Sequence, residues 1–448
     1  MTQPSIPGFR EVPRTGVIYV MHRATELGFS YDSTDWANLG QGAPETGPLP
    51  GAPPRIDVVT IDPRRHEYGP ITGQVALRKK VASFYNTIYR QGKRSQYTWE
   101  NVSISGGGRV ALARLAAALG NINMGHFLPD YTAYEELLSI FKAFIPIPIL
   151  LDPDLGYQAP LEMVKREIQG RGLKAMLLSN PANPTGQLVQ GERLAQWVQL
   201  ARNYRCSLIL DEFYSHYIYN GETVETEFFP ENSVSNGSDV ETGFSRKNPV
   251  SNGRPKMVSA AAHVEDVDRD PVIIVDGLTK NWRYPGWRIS WTLGPKEVIH
   301  AIASAGSFLD GGANNPFQAE VLGLLEPESV YQETAAIQTA FRAKRDYMLD
   351  RLYKMGVLVE VEPAGTFYVW ANLSQLPPPL NDGIQFFEAG LDEKVITVPG
   401  VFFDVNPEKR RTYARYRNYS RISFGPEMEV VVRGLDAIER VIERHKEK

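Results

Sequence analysis

The chain has 448 residues, 42% of them hydrophobic and 22% charged, the texture of a water-soluble protein with room for two domains. A formal net charge of -4 and a pI near 6.1 remove the electrostatic case for nucleic acid as a partner. No apolar run approaches a membrane span, the first residues lack a charged-then-apolar leader pattern, and the lone Cys206 has no mate for an intrachain disulfide. A cytoplasmic enzyme or binding protein is expected.

Residues 1–50 are rich in Gly and Pro, and the stretch from Asn38 through Gly40, Gln41 and Gly42 to Pro44 is loop-like, suited to lining a cleft. After a turn cluster at Tyr68, Gly69, Pro70 and Gly73, the residues Leu77, Val81 and Phe84 recur at helical spacing. A short strand from Val102 then runs into Gly106, Gly107 and Gly108 and an Ala/Leu-rich helix through Leu119. Glycines before a helix start let backbone N–H groups close on an anion at the positive end of the helix dipole.

Two aromatics, Tyr131 and Tyr134, mark a loop-to-helix junction, and packing alone would account for them. Strand-like runs follow at 147–151, 175–178 and 207–210, the first weakened by Pro148, with an amphipathic helical pattern over 191–204. Strands alternating with helices predict a parallel sheet in a three-layer α/β domain. Beyond two of these strands stand the polar clusters Asn180 to Gly186 and Asp211 to Tyr217. Residues 220–270 are polar and aperiodic, and read as a mobile insertion between sheet strands.

The run Val272, Ile273, Ile274, Val275 predicts a fully buried parallel strand. It leads to Thr279 and Lys280, where open α/β sheets place their ligands, and Arg288 follows a Pro285-Gly286 turn. The chain is predicted to be helical from 316 to 355, then to turn to strands near 357–362, 365–370, 395–400 and 421–424, with a closing helix over 427–446. That texture predicts a smaller α+β domain. The expected organisation is an N-terminal arm and part of the small domain over 1–50, a large domain over 51–320, and a small domain over 321–448.

A lysine amine held beside a second cation loses its proton and attacks carbonyls, while Arg288 offers a planar fork suited to phosphate. Together they suggest a phosphate-bearing aldehyde cofactor. A cofactor of that kind with a pyridine ring needs further partners. Asp211 is the candidate to hold a proton on the ring nitrogen, Asn183 and Tyr214 to donate to the ring oxygen, and Tyr131 to stack on the ring. Gly107, Gly108, Thr279 and Arg288 are the candidates for the phosphate cup. No metal is expected.

Asn183-Pro184-Thr185-Gly186, Asp211 with Tyr214, and Thr279-Lys280 with Arg288 eight residues on from the lysine resemble the signature of class I/II aminotransferases, fold-type I pyridoxal-phosphate enzymes. The resemblance runs from Asn38 to Arg421. It implies a large mostly parallel α/β domain, a small α+β domain, and a homodimer with shared active sites. By position it implies that Lys280 is the Schiff-base lysine and proton shuttle and that Asp211 pairs with the ring nitrogen. Asn183 and Tyr214 would hold the ring oxygen, and Tyr131 would stack. It implies that Gly107, Gly108, Arg109 through its backbone, Thr279 and Arg288 hold the phosphate, and that Tyr68 reaches the partner subunit's phosphate. Arg421, with Asn183 and Gly42 beside it, would bind the substrate α-carboxylate.

Two departures stand out. Gly277 occupies the place of a phosphate-binding serine in many relatives, and the stretch 220–270 is longer than usual there. No second arginine is marked for a side-chain carboxylate, so the resemblance does not imply aspartate specificity. The activity implied is amino-group transfer between an amino acid and a 2-oxo acid. β- or γ-elimination, replacement or cyclisation begins with the same steps and is the alternative, and a non-catalytic module has no need of the whole residue set.

Overall fold

The computed structural model describes residues 8–9, 16–219 and 254–446. Its largest sheet has seven strands: β2 (Val102–Ser105), β3 (Asn123–Leu128), β4 (Ile145–Leu150), β5 (Leu173–Ser179), β6 (Ser207–Asp211), β7 (Val272–Gly277) and β8 (Ser290–Leu293), the short β1 (Ala37–Asn38) lying elsewhere. The order is β2-β8-β7-β6-β5-β3-β4, and only β8 runs antiparallel to its neighbours. The expected α/β fold with a mostly parallel sheet is therefore present. The β7 run is buried along its whole length, as a strand with a partner on each side must be.

Pro146 and Pro148 sit in β4, which lies at the sheet edge and pairs with β3 alone, so their missing N–H groups break no ladder on an outer side. Helices Gly108–Ala118 and Lys296–Leu309 pack on each other and on the β2–β8–β7 region, while Leu161–Arg171 and Gly191–Tyr204 pair beside β5 and β6.

Registers align the strand ends. Ser179 lies opposite Asp211, Asp211 opposite Val275, Gly277 opposite Ser290, and Ser290 opposite Ser105. The clusters after β2, β5, β6 and β7, and the residues just before β8, therefore meet along one edge.

A three-stranded antiparallel sheet, β11 (Val398–Pro399), β12 (Tyr419–Ser423) and β9 (Tyr368–Asn372), carries Arg421 at its centre. Beside it β1 pairs with β10 (Val395–Ile396). The helix Val17–Glu26 docks here through Tyr19 against Phe387 and Phe402, and Ser423 N–H donates to Leu39 O at 2.8 Å, laying the N-terminal segment along β12.

Several expectations need correction. Residues 254–270, where the composition predicts part of a mobile insertion, form a packed linker: Val258, Ala260, Ala261, Val264 and Val267 are buried, and the Arg90 guanidinium donates to Ala261 O and Val264 O at 2.6 and 2.7 Å. Residues 220–253 lie outside the described residues. The stretch 357–362 is not a strand but holds one bridge, Leu358 to Asn372. Helix over 316–355 is interrupted near Leu322–Leu325 before the long helix Pro327–Lys354. Helices Val17–Glu26 and Lys296–Leu309 and strand β3 were not anticipated.

Candidate active site

Lys280 lies three residues past β7, half-buried, and its amine donates to Gly42 O of the N-terminal segment. Burial, with the charges of Arg421, Arg288 and Arg109, lowers the amine from its usual range to about 7, and Asp211 opposes the shift. The loop that carries Lys280 is fastened from beneath. The buried Asn281 amide donates to Glu212 O, Ser215 Oγ and Asp276 Oδ1 at 2.9–3.1 Å. Arg283, fully buried, binds Glu333 at 2.8 Å and reaches Glu45 O and Gly47 O. Those contacts resist rotation of the loop and hold Lys280 at the sheet edge.

Asp211 ends β6 and is buried. Burial raises its carboxyl to about 6, against the pull of a 2.8 Å hydrogen bond from Tyr134 OH, the Phe213 N–H and the Lys280 charge. It is still mostly ionised at neutral pH. Tyr134 is thus more than packing: it is the hydroxyl donor that steadies the buried carboxylate. Tyr131, half-buried, meets Tyr134 edge-on at 5.5 Å, and its hydroxyl accepts from the Arg109 guanidinium at 3.1–3.3 Å. The Arg109 side chain, expected to matter only through its backbone, is a second exposed arginine whose charge reaches Lys280.

Arg421 is buried, donating to Asn183 Oδ1 at 3.0 Å and Gly40 O at 2.7 Å. The bond commits the Asn183 oxygen to Arg421 and leaves its N–H2 as the donor end. Arg421 Nε is buried without a hydrogen-bond partner among the described residues. Tyr214 OH pairs with Tyr368 OH at 2.8 Å. The sequence marked Tyr368 only as part of a strand, because its contacts depend on residues far away in the chain.

At the glycine run, Gly107 has φ +102°, and a Cβ there would stand 2.5 Å from the Arg288 guanidinium carbon. A Cβ on Gly108 would stand 2.7 Å from the Phe213 ring. The Gly107 N–H is already donated to Ser105 O at 2.9 Å, so this glycine makes room for Arg288 rather than supplying a donor. The N–H groups of Gly108 and Arg109, in the first turn of the following helix, have no intrahelical acceptor. Thr279 Oγ1 and Ser105 Oγ are buried without hydrogen-bond partners among the described residues. Arg288 is exposed and its Nη1 donates to Pro285 O at 3.1 Å. Such a set of donors without acceptors fits a phosphate.

Gly277 has a steric reason to lack a side chain: a Cβ would lie 2.5 Å from Ser290 Cα and 2.6 Å from Ile289 O. Tyr68 stands apart from this cluster, fully exposed beside a hollow lined by residues 310–316.

These features place a lysine amine at the carboxyl edge of an α/β sheet, flanked by a buried carboxylate and a buried arginine. The chain belongs to the family described as Aminotransferase class I and II, whose sequence profile matches residues 34–438. It is an aminotransferase, and members of this family use pyridoxal phosphate. The aspartate/prephenate aminotransferase of Thermus thermophilus is 28% identical over 355 residues, 78% of this chain and 79% of that protein. The aspartate aminotransferase of Thermotoga maritima is 28% identical over 410 residues, 90% of this chain and 91% of its own length. The solved structure of Thermus thermophilus aspartate aminotransferase with maleate superposes with a TM-score of 0.72 at 24% identity, covering 97% of this chain and 100% of that one. No helix among the described residues is long and apolar enough to cross a membrane.

Proposed function

We propose that this aminotransferase carries pyridoxal phosphate on Lys280 and moves the amino group of an α-amino acid to a 2-oxo acid. The observation that carries the reading is the placing of Lys280 just past β7, beside Asp211 at the end of neighbouring β6 and the buried pair of Arg421 and Asn183. The cofactor, when bound, supplies an aldehyde and an electron-withdrawing ring. The chain's own residues do the rest. Asp211 would hold a proton on the ring nitrogen, Asn183 N–H2 and Tyr214 OH would donate to the ring oxygen, and Tyr131 would cover the ring. The N–H groups of Gly108 and Arg109, with Thr279 Oγ1 and Arg288, would receive the phosphate, and Gly107 leaves space for the Arg288 fork. Ser105 Oγ is the hydroxyl available in place of the serine that Gly277 excludes.

Arg421 binds the α-carboxylate as a bidentate pair, beside Asn183 and Gly42. Once the substrate's amino group displaces it from the aldehyde carbon, the freed Lys280 amine would be the base that takes the α-proton. This route requires no leaving group on the substrate. The exposed Arg109 guanidinium offers a second cation to an acidic side chain, in keeping with the relatives named for aspartate.

The active unit is a homodimer in the cytoplasm. Tyr68 and Phe308, both largely exposed on one chain, are suited to a second copy, with Tyr68 reaching the neighbour's phosphate. Borohydride reduction followed by peptide mapping tests the assignment: the pyridoxyl group is expected on Lys280, and a label on any other lysine contradicts it.

A further inference from the structure

Tyr368 stands where the two halves of the site meet. It begins β9, is fully buried, and belongs to none of the motifs that marked the other residues. Its hydroxyl lies 2.8 Å from Tyr214 OH. The Arg421 guanidinium lies 4.1 Å from the centre of its ring, within cation–π range. A Cβ on Gly42 would stand 2.6 Å from the same hydroxyl. Gly42 must therefore be bare for Tyr368 to sit here, and Gly42 O is the acceptor of the Lys280 amine.

The two phenols share one hydrogen bond, and the Tyr214 role decides its direction. If Tyr214 spends its only proton on the cofactor ring oxygen, it must accept from Tyr368. Burial pushes the Tyr368 phenol up to about 12, with the Arg421 charge pulling it back, so the proton is present at neutral pH. A hydroxyl that accepts one hydrogen bond is a stronger donor in the next.

We propose that Tyr368 is a positioning residue that serves both halves of the site: its hydroxyl aims the Tyr214 proton at the cofactor ring oxygen, and its ring face seats Arg421 for the substrate carboxylate. The inference rests on the cofactor reading above and adds a residue and a coupling to it.

The test is a spectral pH titration of holoenzyme as wild type, Tyr368→Phe, Tyr214→Phe and the double variant. Tyr368→Phe removes the proton and keeps the ring. The pH midpoint of the bound cofactor's visible absorbance is expected to rise by roughly half a unit to one unit, the size of one hydrogen bond. In the Tyr214→Phe background the same change should add nothing. Steady-state kinetics separate the second role. Tyr368→Phe should leave KM for the amino acid within about twofold, whereas Tyr368→Leu, which removes the ring face, should raise it by roughly 3- to 30-fold. An unchanged midpoint in Tyr368→Phe, or a shift that persists in full without the Tyr214 hydroxyl, overturns the relay. Should Tyr368→Leu fold poorly, the phenylalanine cycle still decides. A wild type with no pH-dependent cofactor absorbance defeats the underlying cofactor reading, and this inference with it.

Discussion

Replacing Arg421 with methionine should move the reactivity of Lys280 along the pH axis, apart from any loss of substrate binding. The lysine amine lies at about 7 in the protein, so about half of it is neutral at pH 7, against roughly one part in 3,000 for an ordinary lysine. Burial is the largest cause and the Arg421 charge the next. Like charges at close range in an effective dielectric near 20 repel by about 2–4 kcal/mol. Removing one therefore raises the amine by about 1.5–3 pH units. The assay is the second-order rate of pyridoxal phosphate capture by apo-protein from pH 6 to 10, taken as the ratio of variant to wild type so that the cofactor's own titrations cancel. The sign follows from the neutral amine being the nucleophile. The ratio should be lowest below pH 7, rise through the window between the two amine values, and approach one above it. The residues proposed to receive the phosphate are intact in the variant, so the amount of cofactor captured should be unchanged. A ratio that does not vary with pH, or a wild-type rate that climbs only near pH 10, would refute the claim that burial and Arg421 together prime Lys280.

Asp211→Asn should retain the cofactor yet lose on the order of 10³-fold in kcat, the worth of an ion pair of about 4 kcal/mol at effective dielectric 20; near-normal turnover would show that the carboxylate charge is dispensable. Gly277→Ser should lower stability by about 1–3 kcal/mol in denaturant titration, because the new side chain meets the Ser290 backbone. If instead it stabilises the protein and tightens cofactor binding, the steric account of that glycine fails. Mixing Tyr68→Ala with Lys280→Ala protein should restore activity in hybrid dimers. Proven subunit exchange between two inactive variants without recovery would count against shared sites.

The sequence exposed those elements whose signal is local. Val272 to Val275 form an unbroken β-branched run, so β7 and the lysine beyond it were legible, as was the helix Gly191–Tyr204 with its repeating apolar face. Strand β3 was not. Its residues Asn123, Met124, Gly125, His126, Phe127 and Leu128 include no β-branched side chain, and only burial between β4 and β5 makes a strand of them. The helix Val17–Glu26 was hidden by the Gly- and Pro-rich composition around it and is held by Phe387 and Phe402, far along the chain.

The site divides in the same way. Asn183, Asp211, Lys280, Arg288 and Arg421 stand in motifs, and aligned strand registers account for most of their meeting. Tyr134 and Tyr368 each set a hydroxyl against a residue 77 and 154 positions away, respectively, and no local pattern encodes such a contact. The Arg109 side chain has no local signal of its own, because the motif concerns only its backbone position at the helix start. The linker 254–270 looked like loop because its short apolar residues are separated by polar ones; its burial depends on the β7 flank and on Arg90.

The most direct test of amino-group transfer uses holoenzyme and a panel of amino acids with no oxo acid present, following the cofactor's absorbance and the products. One equivalent of 2-oxo acid should form per site, with stoichiometric conversion of the cofactor to its aminated form, and a 2-oxo acid added afterwards should reverse the change. Sustained turnover without any oxo acid, on substrates that bear a leaving group at the β- or γ-carbon and with the aldehyde form persisting, would contradict transamination and assign the site to elimination, replacement or cyclisation.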